Sequence, residues 1–307
     1  MLGHEGAGVV DRVGSDVTSV VAGDHVVLSL PSCGRCNHCL SGHPAYCDHN
    51  LRLSFGGARL DGSNAYRDGV HGHFFGQSSF ATYALANERN TVKVPRDVPL
   101  ELLGALGCGF QTGAGAVLNS LKVPTGASIV VLGAGAVGLA SVMAARVVGA
   151  DPIIAVDIND ERLALAQSLG ATHLINGRTE DTRARIMEIT GRGADYIVDL
   201  TGSPKMLAMA VDALAPTGTA ALIGAAHQGT QVSIDMAQLL NGRVVRGVIQ
   251  GDAVPQLFIP KLVELYRAGK FPFDRLVKFY EFTDIERAFA DSKNGSTIKP
   301  ILKIAKA

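Results

Sequence analysis

The chain has 307 residues, 47% of them hydrophobic and 18% charged, which is enough material for two domains and a substantial core. Lys+Arg and Asp+Glu balance at 28 each, so there is no basic face of the kind that nucleic acid or an anionic membrane surface would require. The opening Met1-Leu2-Gly3-His4 has no basic-then-apolar leader, which reads as a cytoplasmic protein. The uncharged stretch 129–145 is broken by Gly133, Gly135 and Gly138, and it fits a strand, turn and helix better than a membrane span.

The first 112 residues are rich in Gly, His and Ser, with apolar runs at 8–13 and 25–30 that predict short strands and tight turns. At the very start, His4 and Glu5 stand together among glycines. By itself this pair is a weak signal, because a His in a strand-like segment is more often a hydrogen-bonded core residue than a ligand.

Four of the five cysteines crowd into 33–47 as Cys33-x2-Cys36-x2-Cys39-x7-Cys47. In a chain with no secretory leader this density points to metal ligation before disulfides. Zinc held by four thiolates is closed and tetrahedral, so it staples a loop and does no chemistry. An iron–sulfur cluster is the rival, but its bacterial cysteine run ends with a three-residue gap and Cys-Pro, whereas here the last gap is seven and Asp48 follows. Four unligated thiols are the plain alternative. His38, His43 and His49 fit surface positions in the same loop.

From 129 the texture changes to strand–helix alternation. Strands are predicted at 129–132, 153–156, 173–175, 196–199, 219–223 and 244–249, and helices at 136–148, 160–169, 181–190 and 204–214. This pattern implies an α/β fold with a doubly wound parallel sheet. Within it, Val130-Val131-Leu132 leads into Gly133-Ala134-Gly135-Ala136-Val137-Gly138, a G-x-G-x-x-G turn between strand and helix. The first glycine permits the turn, the second lets backbone amides approach a pyrophosphate, and the third lets helix and strand pack closely. Asp157 ends the next strand, where a carboxylate accepts from ribose hydroxyls and repels a 2′-phosphate, favouring NAD over NADP. The alternative is a packing turn, with Asp157 capping the following helix. Beyond 251 the pattern breaks into helices at 260–268 and 283–291 and a closing strand at 299–304. The domain expectation is therefore 1–112, 113–250 and a return segment 251–307.

Gly3-His4-Glu5-x2-Gly8 with Gly14 and Val17, the four-cysteine loop 33–47, Gly107-Cys108-Gly109 and the turn 133–138 occur in the order of the zinc-dependent medium-chain alcohol dehydrogenases, which the whole chain resembles. Within that family, 106–113 (LGCGFQTG) and 75–81 (FGQSSFA) look most like the aryl-alcohol (benzyl alcohol) branch. The resemblance implies a Rossmann sheet plus a GroES-like β-barrel catalytic domain that is incomplete here. It implies that His4 and Cys108 ligate a catalytic zinc with Glu5 beside them, and that Cys33, Cys36, Cys39 and Cys47 hold a structural zinc. Thr112, Gly133, Gly135, Val137, Gly138, Asp157, Arg162, Ile223 and Lys299 match positions that contact NAD. Lys299 stands where relatives often carry Arg near the pyrophosphate, a softer match because an ammonium makes no bidentate fork.

The implied reaction is zinc-assisted oxidation of a primary, aromatic alcohol to an aldehyde with hydride transfer to NAD. S-(hydroxymethyl)glutathione oxidation is the alternative, and a non-catalytic NAD-binding protein is the alternative of another class. The family's first catalytic cysteine lies upstream of the His-Glu pair. Because the sequence begins so close to His4, the expectation is an N-terminally shortened chain with a weak catalytic zinc and low turnover. A homodimer or homotetramer is expected, with the strand at 244–249 pairing to a second copy.

Overall fold

The structure is a computed structural model and describes residues 1–304. The chain divides into two units. One consists of Met1–Gln111, Ala253–Gly269 and the residues from Phe273 onward, and the other of Thr112–Asp252 with Lys270–Pro272.

The first unit begins with a three-stranded antiparallel sheet, in which β2 (His25–Leu28) lies between β1 (Ala7–Val9) and β3 (Thr91–Lys93). Val27 at its centre is fully buried and faces Val92, itself only 2% exposed. The run predicted at 8–13 pairs only as far as Val10, which exchanges hydrogen bonds with Gly23 and Asp24. Among the described residues, 11–13 form no strand, and the chain turns at Gly23 (φ +88°) before β2 begins. The cysteine loop carries α1 (Asn37–Leu40) and α2 (Asn50–Phe55), and α3 (Leu100–Leu103) leads through a tight turn to α4 (Gly109–Gly115). Glu88 ties this unit together at its surface. Its Oε1 accepts hydrogen bonds from the Thr18 and Ser19 amides at 2.7 and 2.6 Å and from the Thr18 hydroxyl at 3.3 Å.

The second unit is a six-stranded parallel sheet. Along the chain run β4 (Ile129–Leu132), α5 (Ala136–Val148), β5 (Ile153–Asp157), α6 (Asp160–Leu169), β6 (His173–Asn176), α7 (Thr182–Thr190), β7 (Ala194–Asp199), α8 (Pro204–Ala213), β8 (Leu214–Leu222), α9 (Met236–Leu239) and β9 (Val244–Gly247). The strand order is β6-β5-β4-β7-β8-β9. All four residues of β4 are 0% exposed, the signature of a strand covered on both faces. The α/β expectation is met. Helix starts follow local capping: the Asn159 side chain accepts from the amides of Glu161 and Arg162, and Asp181 accepts from Ala184. Each such cap contributes about 1 kcal/mol. β8 begins five residues earlier than predicted, because Leu214 already pairs with Ala194 before an irregularity restores the register at Thr219. The order reverses around β4, whose neighbours are β5 and β7, and this creates a switch point at the carboxyl ends of the strands.

The chain then returns to the first unit through α10 (Pro255–Arg267), β10 (Val277–Glu281), α11 (Ile285–Asn294) and β11 (Lys299–Lys303). α10 starts five residues before the predicted 260. Pro255 takes the first helical position, where no N–H is needed, and Pro260 sits inside the helix at the loss of one backbone bond. β10 was not predicted. It pairs in parallel with β11, and α11 makes the crossover. Among the described residues no helix is long and apolar enough to cross a membrane.

The bonds to Glu88 hold its pKa down to about 2, chiefly through the Thr18 amide and then the Ser19 amide. A depressed carboxylate stabilises the fold above its unfolded value near 4.5 and loses that contribution as pH falls toward 2. We predict that Glu88→Gln lowers the melting temperature at neutral pH, and that the difference from wild type closes between pH 4.5 and 2. Melting curves across that range check this, and a difference independent of pH would contradict it.

Candidate metal and nucleotide sites

The four thiols of the cysteine loop converge without forming disulfides. Cys33 and Cys39 Sγ atoms are 4.0 Å apart and those of Cys36 and Cys47 3.9 Å. A disulfide needs about 2.0 Å, whereas four sulfurs at about 2.3 Å from a tetrahedral zinc stand roughly 3.8 Å from one another. Backbone amides prepare the thiolates: Cys36 N–H donates to Cys33 Sγ at 3.4 Å and Cys33 N–H to Cys47 Sγ at 3.3 Å. The backbone N–H of Arg35, with further amide and thiol contacts, pulls the Cys33 thiol down to about 6. Burial pushes Cys47 up to about 12. A cluster in which one thiol ionises readily and its neighbour resists is one that a divalent cation neutralises as a whole. His43 is exposed, and His38 turns outward to pair with Asp48 at 2.8 Å, both being about half exposed.

His4, Glu5 and Cys108 also come together, with one donor atom from each lying within 4.8 Å of the others. The loop before β1 supplies His4, and the turn between α3 and α4 supplies Cys108. Two glycines before Cys108 allow the close approach: a Cβ on Gly104 would collide with the Glu5 carbonyl, and one on Gly107 with the Leu28 carbonyl at the end of β2. Burial, helped by the charge of Lys299, lowers the His4 pKa against the opposing pull of Glu5, the direction that favours the uncharged imidazole a metal ligand requires. For Glu5, burial pushes the pKa up. The charges of Lys299 and His4, with hydrogen bonds from Lys299 and the Gly109 amide, overcome it and hold the carboxyl below its usual range. The Gly109 amide donates to Glu5 at 2.8 Å, and the Lys299 ammonium pairs with the other carboxylate oxygen. Lys299 thus groups with the candidate zinc ligands, its ammonium 5.9 Å from the centre of the Phe110 ring.

Aromatic rings surround His4. Phe75 lies 4.7 Å from the imidazole centroid and Phe74 6.0 Å, edge-on, while Phe55 of α2 meets Phe74 and Phe75 at 5.9 and 5.1 Å. Phe75 is presented by a strained turn, with its own φ at +50° and that of His73 at +59°. Each such non-glycine residue costs on the order of 1–3 kcal/mol. The turn is held by the Phe74 amide donating to Ser78 Oγ at 2.9 Å and the Gly76 amide to the His73 carbonyl at 2.7 Å.

In the second unit, Gly133 takes φ +98° and Gly135 is the extended residue before α5, with no side chain capping the helix amides. A Cβ on Gly135 would meet nothing within 4 Å, and one on Gly138 would collide with the Gly133 carbonyl. The helix start therefore offers free N–H groups facing open space, a ready anion site. Asp157 Oδ2 accepts from the Ala134 amide at 2.7 Å and Oδ1 from Ile158 and Asn159 at 2.8 and 3.0 Å. The acid thus clamps the glycine turn and retains lone pairs for a ligand. Arg162, in the first turn of α6, has a buried Nε with no hydrogen-bond partner among the described residues. A cavity of about 470 Å³ lined by Gly202, Pro204, Ala225, Ala226, His227 and Thr230 opens beyond the carboxyl ends of β7 and β8. Val137 lies in the first turn of α5, and Ile223, just past β8, donates its amide to the Asp199 carbonyl at 2.9 Å. Thr112 is nearly buried. The residues present fit a dinucleotide here and a metal ion at each cluster in the first unit.

Residues 1–96 match the family described as alcohol dehydrogenase GroES-like domain, and residues 136–267 match zinc-binding dehydrogenase. Geraniol dehydrogenase of Castellaniella defragrans is 46% identical over 309 residues, covering 98% of this chain and 83% of that protein. The chain belongs to the zinc-dependent alcohol dehydrogenases. The crystal structure of benzyl alcohol dehydrogenase from Acinetobacter calcoaceticus superposes with a TM-score of 0.97 at 53% identity, over 99% of this chain and 84% of that one. S-(hydroxymethyl)glutathione dehydrogenase of Paracoccus denitrificans is 37% identical over 318 residues, 98% of this chain and 84% of that protein. Zinc and NAD(H) are the cofactors typical of this alcohol dehydrogenase family.

Sequence reasoning did not reach Phe55 or Phe74, nor the pairing of Lys299 with Glu5, since none of them lies in a pattern with a spacing of its own. Asp157 supplies a direct test of the nucleotide site. Asp157→Ala is expected to weaken NAD binding and to narrow the preference over NADP by at least tenfold, measured by fluorescence titration with each reduced cofactor. An unchanged preference would contradict its assignment.

Proposed function

We propose that this alcohol dehydrogenase oxidises a primary alcohol on a flat, unsaturated carbon skeleton, aromatic above all, to the aldehyde, with NAD as the hydride acceptor. The observation that carries this reading is the aromatic wall of Phe55, Phe74 and Phe75 against His4. When bound, zinc supplies the Lewis acidity that lowers the pKa of an alcohol hydroxyl, and NAD takes the hydride.

The chain's residues do the positioning. His4 and Cys108 would hold the metal, and the negative Glu5 beside them is balanced by Lys299. The Phe rings offer a flat stacking surface to the substrate. At the other cofactor, the α5 amides and Gly135 would face the phosphates and Asp157 the ribose hydroxyls. Geraniol and benzyl alcohol, for which two relatives are named, are both primary alcohols next to an unsaturated carbon. That is the chemistry such a wall selects.

The test is kcat/KM for benzyl alcohol, geraniol and S-(hydroxymethyl)glutathione with NAD. Benzyl alcohol and geraniol are expected to be preferred, and Phe75→Ala to raise KM for benzyl alcohol roughly 2- to 10-fold, in line with the 0.5–1.5 kcal/mol an aromatic pair contributes. Preference for S-(hydroxymethyl)glutathione would establish the alternative substrate. NAD binding without turnover of any of the three would establish the non-catalytic reading.

A further inference from the structure

Three polar side chains are sealed into the interior of the first unit near the candidate catalytic metal site. Gln77 and Gln111 are 0% exposed and Ser29 is 1% exposed. Leaving a buried amide unpaired costs about 1–3 kcal/mol, so the partners these groups have found show what they are there to hold. Gln77 Oε1 accepts from the Gly6 amide at 3.1 Å, and its Nε2 donates to the His4 carbonyl at 3.0 Å and, more weakly, to the Ser29 carbonyl at 3.4 Å. Gln111 Nε2 donates to Ser29 Oγ at 2.7 Å and to the Gly107 carbonyl at 2.8 Å. Ser29 Oγ donates its proton to the same Gly107 carbonyl at 2.7 Å.

The path these bonds trace runs from the backbone of His4 through Gln77 to Ser29, and from Ser29 and Gln111 to the residue immediately before Cys108. Ser29 is itself anchored, its amide donating to the carbonyl of buried Asn90 at 2.8 Å, and Leu28 donates to the Gly6 carbonyl at 2.8 Å. The end of β2 is thereby fixed to both segments. An apolar core would fill this volume with less to satisfy, and a network in which each of the three side chains sends a donor to the His4 or Gly107 carbonyl does more than fill space.

We infer that Gln77, Ser29 and Gln111 form a buried polar strut that sets the separation of His4 and Cys108 and thereby the affinity of that site for its metal. They are positioning residues, and the inference rests on His4 and Cys108 being ligands, as proposed above. Metal–ligand bonds tolerate displacements of only about 0.2 Å, so loosening either backbone segment weakens binding although both donor atoms remain.

The test is titration of the purified protein with Co²⁺ against a competing chelator, after zinc has filled the thiol loop, read by thiolate-to-cobalt absorption. Ser29→Ala removes one hydroxyl and little volume, and Gln77→Glu keeps the acceptor for Gly6 while replacing the donor to His4 with a second acceptor. Both variants are expected to bind Co²⁺ roughly 10- to 100-fold more weakly, the range for groups that orient metal ligands, while the zinc of the thiol loop stays stoichiometric. Wild-type affinity in Ser29→Ala would overturn the strut, and so would parallel loss of metal from both sites, which marks mere destabilisation. If the wild-type protein takes up no Co²⁺ beyond the zinc of the thiol loop, the ligand reading itself fails, and that outcome is distinct from the other two.

Discussion

A thiol and an imidazole carried by segments far apart in the chain can share one ion only where their backbones are locked together. Here the lock is steric and polar at once. Gly107 lies against the Leu28 carbonyl with no room for a side chain, and buried amides bond across the seam on either side of it. The other features of the first unit follow from this contact. The three-stranded sheet places the end of β2 between the His4 segment and the Cys108 turn, and the aromatic turn at 73–76 packs over the imidazole once that ring is fixed.

Electrostatics next to the site is arranged to carry charge at little cost. Bringing Glu5 and Lys299 out of water together, 18% and 15% exposed, is acceptable because each is the other's partner and Glu5 also takes the Gly109 amide. The Gly109 bond has a positional consequence as well, because it ties the residue after Cys108 to the residue after His4. The thiol loop follows a different logic. It needs no distant partner, since one short segment supplies all four sulfurs, and its amides stabilise the thiolates from within. One site is local and self-sufficient, whereas the other depends on tertiary structure.

That difference explains what could be read in the sequence. Cys33, Cys36, Cys39 and Cys47 announce themselves by spacing, and so does the turn 133–138 with Asp157 at the end of the next strand, because local geometry fixes each of them. The parallel sheet was legible for the same reason, its central strands β4 and β5 being apolar runs where helices cover both faces. His4 and Cys108 were reachable only through resemblance, since nothing in either segment points to the other. The strut was out of reach. Gln77 and Gln111 sit in stretches where a glutamine ordinarily faces solvent, and only the fold turns them inward. β10, with Lys278 and Glu281 in a short run, reads as a surface segment until β11 supplies its partner. The start of α10 was misplaced because Pro260 looks like a helix beginning, while Pro255 already serves as one.

Diffraction data from crystals of the zinc-loaded protein, collected on both sides of the zinc absorption edge, test the central claim most directly. The account predicts two anomalous peaks, a strong one among the four thiols of the cysteine loop and a weaker, less occupied one bonded to His4 Nε2 or Nδ1 and Cys108 Sγ. A single peak in the thiol loop, with the His4 ring and the Cys108 sulfur well ordered and empty-handed, would contradict it.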